Sequence, residues 1–150
     1  MKVNGYEIKP GANLIGVKLQ GADLRDANLY CANLKDANLQ GANLKDANLQ
    51  GANLEDADLQ DANLQGANLE DADLQDADLS GANLKDANLK GANLRWANLE
   101  GANLDGADVT GTILEKKEES QDTTSLSQKV KELEEELKKY KDTLKALLDT

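Results

Sequence analysis

The stretch DANLQGANLKDANLQGANLE, residues 36–55, spells nearly the same five letters four times over. With Leu taken as the centre, the register runs through Leu14, Leu19 and Leu24 at every fifth position to Leu104, Val109 and Leu114, with no insertion or deletion. Ala stands two places before the centre from Ala12 to Ala107, with Val17 and Thr112 as departures. Asn or Asp stands one place before it, except at Lys18 and Ile113. Twenty full repeats, residues 12–111, are followed by a partial one.

A period of five suits neither regular structure over any length. On an α-helix each step of five turns the Leu by about 140° and smears it over every face. On a flat strand side chains alternate with period two, so every second Leu points to the wrong side. Within one repeat, however, Ala and Leu are two apart and share a side. A short extended piece, a corner and another short piece keep every Ala and Leu inward, and the chain coils into a solenoid. The residue two after the centre reads Asp, Gly, Asp, Gly, Asp from Asp36 to Asp56, a ten-residue super-period that favours an even number of sides. Glycine suits corners that need a positive φ.

The text A-[ND]-L-x-x, as in Ala42-Asn43-Leu44-Lys45-Asp46, closely resembles the pentapeptide-repeat proteins over residues 12–114. The resemblance implies an all-β solenoid, a right-handed quadrilateral β-helix with four pentapeptides to a coil. Twenty repeats then give about five coils, roughly 24 Å tall at ~4.8 Å per strand spacing. Positions twenty apart would stack, with Leu14, Leu34, Leu54, Leu74 and Leu94 as one interior ladder and Asn43, Asn63, Asn83 and Asn103 as an outward amide ladder. For function the family implies little. Most members have no assigned activity, and some protect DNA gyrase by imitating DNA.

Composition narrows the function classes. The chain of 150 residues carries a net charge of −11, which disfavours nucleic-acid and anionic-membrane partners. It has no Phe and one Trp, so its core must be thin and repetitive. There is no His, the commonest catalytic base and metal ligand. The single cysteine, Cys31, cannot make an intrachain disulfide, and it reads as an ordinary corner thiol beside Tyr30, with Arg25 the one cation in reach. No apolar run approaches membrane-spanning length, and the start of the chain lacks a signal-peptide core, so a cytoplasmic protein is expected. A convex prism offers no pocket in which to desolvate carboxylates. No catalytic residue, cofactor or metal site is expected.

Departures from the repeat carry the functional information. Between Lys45 and Lys85 there is no Lys or Arg, while acids abound. Asp36, Asp56 and Asp76 should form a corner column and Asp58 should lie beneath Asp78, with like charges repelling at strand spacing. A solvated, solubilising surface is the preferred reading of this belt over a cation site, since Ca²⁺ needs six to eight oxygens about one point. Trp96 takes an outward corner where Asp or Gly is usual, and Ile113 takes an outward Asn/Asp position on the same face. Open solenoid ends need covers, so this pair is read first as the seat of a capping segment and second as a partner contact. Residues 1–11, with Tyr6, Ile8 and Pro10, are expected to cap the other end.

After Leu114 the text changes. Residues 115–125 read as a charged polar linker, and Ser125 with Gln128 forms a capping-box signature that predicts a helix over 126–149. Leu126, Val130, Leu133, Leu137, Tyr140, Leu144 and Leu147 follow a 4-3-4-3-4-3 spacing, an unbroken heptad seam. With Val130, Leu137 and Leu144 at a positions, a parallel pair sets Lys129 against Glu134 and Glu136 against Lys141, both opposite in sign. A homo-oligomer through this coiled-coil-like helix is the expectation, with folding back onto Trp96 and Ile113 as its competitor. Two functions then remain: a structural or interaction protein with an unidentified protein partner, or a DNA-mimic inhibitor or protector of a DNA-binding enzyme such as gyrase.

Overall fold

The computed structural model describes residues 1–114 and 121–148, with side chains in the helix described from 128 to 147. The chain divides into two compact units, Met1–Glu115 and Lys116–Thr150, each described by itself.

The first unit opens with a hairpin of β1 (Lys2–Val3) and β2 (Tyr6–Glu7), in which Lys2 pairs with Glu7 and Val3 with Tyr6. Its turn is Asn4-Gly5 with φ of 51° and 86°, the two positive values of a primed hairpin turn. Ile8 N donates to Met1 O at 2.7 Å and the terminal amine donates to Ile8 O at 3.0 Å, which closes the hairpin's base. Ile8 is buried, Val3 and Tyr6 pack against the core from outside it, and Pro10 is exposed. The Asn-Gly dipeptide between Val3 and Tyr6 is a sequence signal for this hairpin that a reading of the repeats alone passes over.

From residue 11 the chain coils. Parallel bridges join residues twenty apart without interruption from Asn13↔Asn33 to Asn88↔Asp108. One coil is therefore four pentapeptides, and the solenoid is four-sided. Each step uses the same two bonds: Leu44 N donates to Asn63 O at 2.7 Å, and Asn63 N donates to Ala42 O at 2.9 Å. Every Leu from Leu19 to Leu89 is fully enclosed, and the accompanying Ala fills the narrower space beside it. Hydrophobic burial along this column is the main driving force, because the two apolar residues of each repeat are the only ones pointing inward.

The corner explains the other three letters. Ala47 N donates to Leu44 O at 3.0 Å, closing a four-residue turn, and the second central residue always has positive φ. Asp46, for example, sits at 57° and Gly41 at 62°. That is the type II requirement, which Gly meets freely and Asp tolerates. At Gly66 a Cβ would meet Oδ1 of Asp46, one coil below, so that a larger residue there requires the Asp46 carboxylate to turn aside. Asn or Asp before the Leu is a local cap. Asn43 Oδ1 accepts Lys45 N at 3.2 Å, and the same side-chain bond recurs around the coil.

The second unit is one helix, α1 (Gln121–Leu148). It begins five residues ahead of the Leu126 start expected from the Ser125–Gln128 signature. Within 121–125 the residues Gln, Asp, Thr, Thr and Ser contain no Gly or Pro to stop the helix. Of the 115–125 linker, residues 115–120 lie outside the described residues, as does Asp149 at the expected helix end.

Candidate interaction surfaces

The acidic belt is built from two kinds of position. Asp36, Asp56 and Asp76 occupy stacked corners with φ of 57°, 56° and 57° and are exposed to solvent. Lys35 leans across this column. Its Nζ lies 2.9 Å from Glu55 Oε1 and 3.9 Å from Asp56 Oδ2, and the hydrogen bond to Glu55, first among its causes, raises the lysine's pKa. Asp58 and Asp78 are instead bridge residues, stacked in parallel register. Asp58 Oδ1 accepts Gln60 N at 3.1 Å.

Asp78 is more heavily engaged. Its carboxylate accepts Ser80 N at 2.9 Å, Ser80 Oγ at 2.7 Å, Gln60 Nε2 at 2.6 Å and Asn98 Nδ2 at 3.2 Å. These donors, Ser80 foremost, hold its carboxyl below the ordinary carboxylate value. The close approach of Asp58 and Asp78 is thus offset by donors from three coils. Among the described residues no group of three or more acids, cysteines or histidines is arranged to hold a metal ion.

The amide ladder forms over Asn43, Asn63 and Asn83, while the Asn103 side chain shows only its local turn bond among the described residues, with Oδ1 accepting Asp105 N at 3.0 Å. Asn63 Nδ2 donates to Asn43 Oδ1 at 3.4 Å and Asn83 Nδ2 to Asn63 Oδ1 at 3.2 Å, while Gln40 and Gln60 link similarly at 3.2 Å. Cys31 is exposed, with φ of 52°. Arg25 is held by Asp23, Nε at 2.8 Å and Nη2 at 2.7 Å, which raises the arginine's pKa and lowers the aspartate's. Its charge is matched locally, and the neighbouring Cys31 thiol raises the pKa of Tyr30.

Apolar surface collects late in the chain. Trp96 is 74% exposed and Ile113 65%, and Trp96 carries a left-handed φ of 57°. On α1 the seam residues Val130, Leu133, Leu137, Tyr140, Leu144 and Leu147 are all exposed. Leu126 lies outside the residues whose side chains are described. The repeat pattern did not single out the last coil, yet its core is the least enclosed: Ala97, Leu99, Ala102, Leu104, Ala107 and Val109 are only partly buried. The signal for this was the end of the repeat at Leu114 with a polar stretch behind it.

Comparison with known proteins agrees with this geometry. The family described as pentapeptide repeats matches residues 11–46, 37–76 and 77–115. Among solved structures, the pentapeptide repeat protein alr5209 from Nostoc PCC 7120 is 39% identical, covering 57% of this chain and 82% of its own, with a TM-score of 0.50. HetL, a pentapeptide repeat protein involved in heterocyst differentiation regulation from the cyanobacterium Nostoc sp. strain PCC 7120, is 35% identical over 69% of this chain, with a TM-score of 0.36. The match spans 62% of HetL's length. QnrB1, a plasmid-mediated fluoroquinolone resistance protein, is 24% identical over 68% of this chain and 57% of its own, with a TM-score of 0.39. No curated protein matches the chain in sequence. With its uninterrupted A-[ND]-L-x-x text, its twenty-residue coil and the match across residues 11–115, the chain belongs to the pentapeptide-repeat family, whose fold is the right-handed quadrilateral β-helix.

Proposed function

We propose that this protein is a non-catalytic interaction module, an acidic β-solenoid of about five coils that self-associates through α1 and offers flat faces to a protein partner. The observation that carries the reading is the exposed heptad seam of α1, from Val130 to Leu147. An isolated helix is marginal in water, and a narrow a/d stripe is the seam a coiled coil buries. The flanking charges favour a parallel pair, with Lys129 facing Glu134 and Glu136 facing Lys141 across the two chains. A net charge of −11 keeps nucleic acid and anionic membranes out of this reading. Among the described residues no helix is long and apolar enough to cross a membrane. A cytoplasmic setting belongs to the same proposal, supported by the free thiol of exposed Cys31. Light scattering after size exclusion tests it: the full chain should run as an oligomer at tens of micromolar, and a monomer there rejects self-association.

The acidic belt between Lys45 and Lys85 favours a second reading, in which the solenoid imitates DNA and inhibits or protects a DNA-binding enzyme. A gyrase supercoiling assay separates the two. Unchanged supercoiling at saturating protein rejects the mimic.

A further inference from the structure

The asparagines of the chain fall into two chemical settings. Every Asn from Asn13 to Asn103 precedes a Leu and turns its Oδ1 onto the backbone N–H two residues on, as Asn43 does to Lys45 at 3.2 Å. From Asn13 to Asn88 the N–H of that following Leu is also bonded to the next coil, Leu44 N to Asn63 O at 2.7 Å for example. Asn4, at the tip of the β1–β2 hairpin, differs on each count. It is exposed and precedes Gly5, and among the described residues neither its side chain nor the Gly5 N–H has a hydrogen-bond partner. A Cβ placed on Gly5 would meet no atom within 4 Å, so the approach to this peptide is open.

We propose that Asn4 is a site of spontaneous deamidation, attacked by the backbone nitrogen of Gly5, and that the product loosens the N-terminal cap of the solenoid. The Gly5 nitrogen bonds to Asn4 Cγ, the Cγ–Nδ2 bond breaks, and Nδ2 leaves as ammonia carrying the proton that Gly5 gave up. One water then opens the five-membered ring at either carbonyl. Opening at Cγ leaves an aspartate, and opening at the main-chain carbonyl leaves an isoaspartate, whose chain runs through Cβ. No oxidant or reductant takes part.

The turn already holds half of the ring's geometry. Ring closure brings the Gly5 nitrogen into line with Cβ, which for an L-residue means a ψ of about −120°, the first central value of a type II′ turn. Types I′ and II′ share a positive φ at that position, and Asn4 sits at 51°. Passing from one to the other turns over the Asn4–Gly5 peptide plane and reverses the sign of the Gly5 φ, now 86°, a change glycine makes freely. The Asn residues bridged to the next coil, from Asn13 to Asn88, have that plane fixed. An aspartate at position 4 leaves the backbone as it was. Isoaspartate adds a main-chain atom to a two-residue turn, whose length sets the register of its strands. The pairing of Lys2 with Glu7 and of Val3 with Tyr6 then opens, and with it the Ile8 N to Met1 O bond at the hairpin's base. Val3 and Tyr6 pack against the core and Ile8 is 3% exposed, so the cover over the first coil loosens with them.

The test ages the full chain at neutral and mildly alkaline pH and maps its peptides by mass spectrometry. Chromatography separates the aspartate and isoaspartate forms of the peptide covering residues 3–9. Asn4 should convert about tenfold or more faster than any Asn of the repeats, and faster as pH rises, because its attacking amide is unbonded and belongs to glycine. In the isoaspartate fraction, hydrogen exchange at the Ile8 N–H should speed up by about tenfold or more. The Leu44 amide, bonded to Asn63 O, should stay protected and report an intact solenoid. Freshly purified Asn4→Asp adds the charge without the extra atom and should leave Ile8 as protected as in the unaged chain. Conversion of Asn4 at the pace of the repeat asparagines overturns the site. Unchanged Ile8 exchange in the isoaspartate fraction, or an equal acceleration in Asn4→Asp, overturns its coupling to the cap.

Discussion

At the scale of single residues, the letters of the repeat divide the labour: two fill the core, one caps its own turn, and one must accept a left-handed backbone. That last role makes Trp96 costly. Every other corner residue from Gly11 to Gly111 is Gly or Asp, save Cys31, and a left-handed conformation costs an ordinary residue about 1–2 kcal/mol. Trp96 is 74% exposed, so little packing offsets that strain. Trp96→Asn should therefore stabilise the solenoid by about 1 kcal/mol in chemical denaturation, since Asn visits this region readily. Asp78 supports a prediction with a sign. Its carboxyl is depressed in the folded state, by the Ser80 bonds first, so its contribution is present above the ordinary carboxylate value. That contribution is lost as pH falls through the depressed folded value. Stability should drop on acidification below pH about 4, and Asp78→Asn should start less stable at neutral pH and fall more gently there. A series of urea melts against pH reads both effects.

At the scale of elements, legibility in the sequence depends on how much of each signal is local. The coil was legible because Ala, Asn and Leu act within one turn: the Asn43 side chain bonds Lys45 two residues on, and the Leu44–Ala47 bond closes the corner. Repeating a local rule without insertions fixes the long-range register, as the unbroken Asn13↔Asn33 to Asn88↔Asp108 pairing shows. The start of α1 was less legible. The Ser125–Gln128 box is only one of several competing starts, and the helix runs on to Gln121 because nothing before Ser125 breaks it. The lower enclosure of the last coil was legible in part: the repeat ends at Leu114 and an open solenoid end needs a cover, but how far each residue is buried there depends on neighbours in space that the local text of a repeat does not record. For the helix, Leu137 lies mid-seam and is exposed on α1. Placing a charge there puts an unpaired carboxylate into any buried seam, which is costly. Leu137→Asp is expected to weaken helix-mediated association and to lose helical signal in the far ultraviolet while keeping the β signal. Loss of the β signal as well would mean that the two units do not fold separately.

At the scale of the whole molecule, the solenoid is a one-dimensional stack in which each coil touches only its neighbours, so stability should depend on position along the axis. Leu64 and Leu104 test this because they have the same chemistry in the same repeat slot. Leu64 is fully enclosed, with coils on both sides: its N–H bonds Asn83 O at 2.8 Å above, and Asn63 N bonds Ala42 O at 2.9 Å below. Leu104 is only partly buried and, among the described residues, has a coil on one side. Truncating the side chain in a closed, well-packed site leaves a cavity, and Leu→Ala in such sites costs about 2–5 kcal/mol. At the end coil the void opens outward and can be filled by solvent or by relaxation, so only the transfer part of that cost remains. Leu64→Ala should thus lose about twice as much stability as Leu104→Ala in denaturant melts, or more. The unfolding should also differ in kind. A weakened middle coil splits the stack into two halves that lose their mutual support, so Leu64→Ala should broaden the transition, whereas Leu104→Ala should raise exchange only in the final coil. Equal losses for the two variants would mean that the last coil is as enclosed as the middle, and that something covers it under the conditions of the measurement.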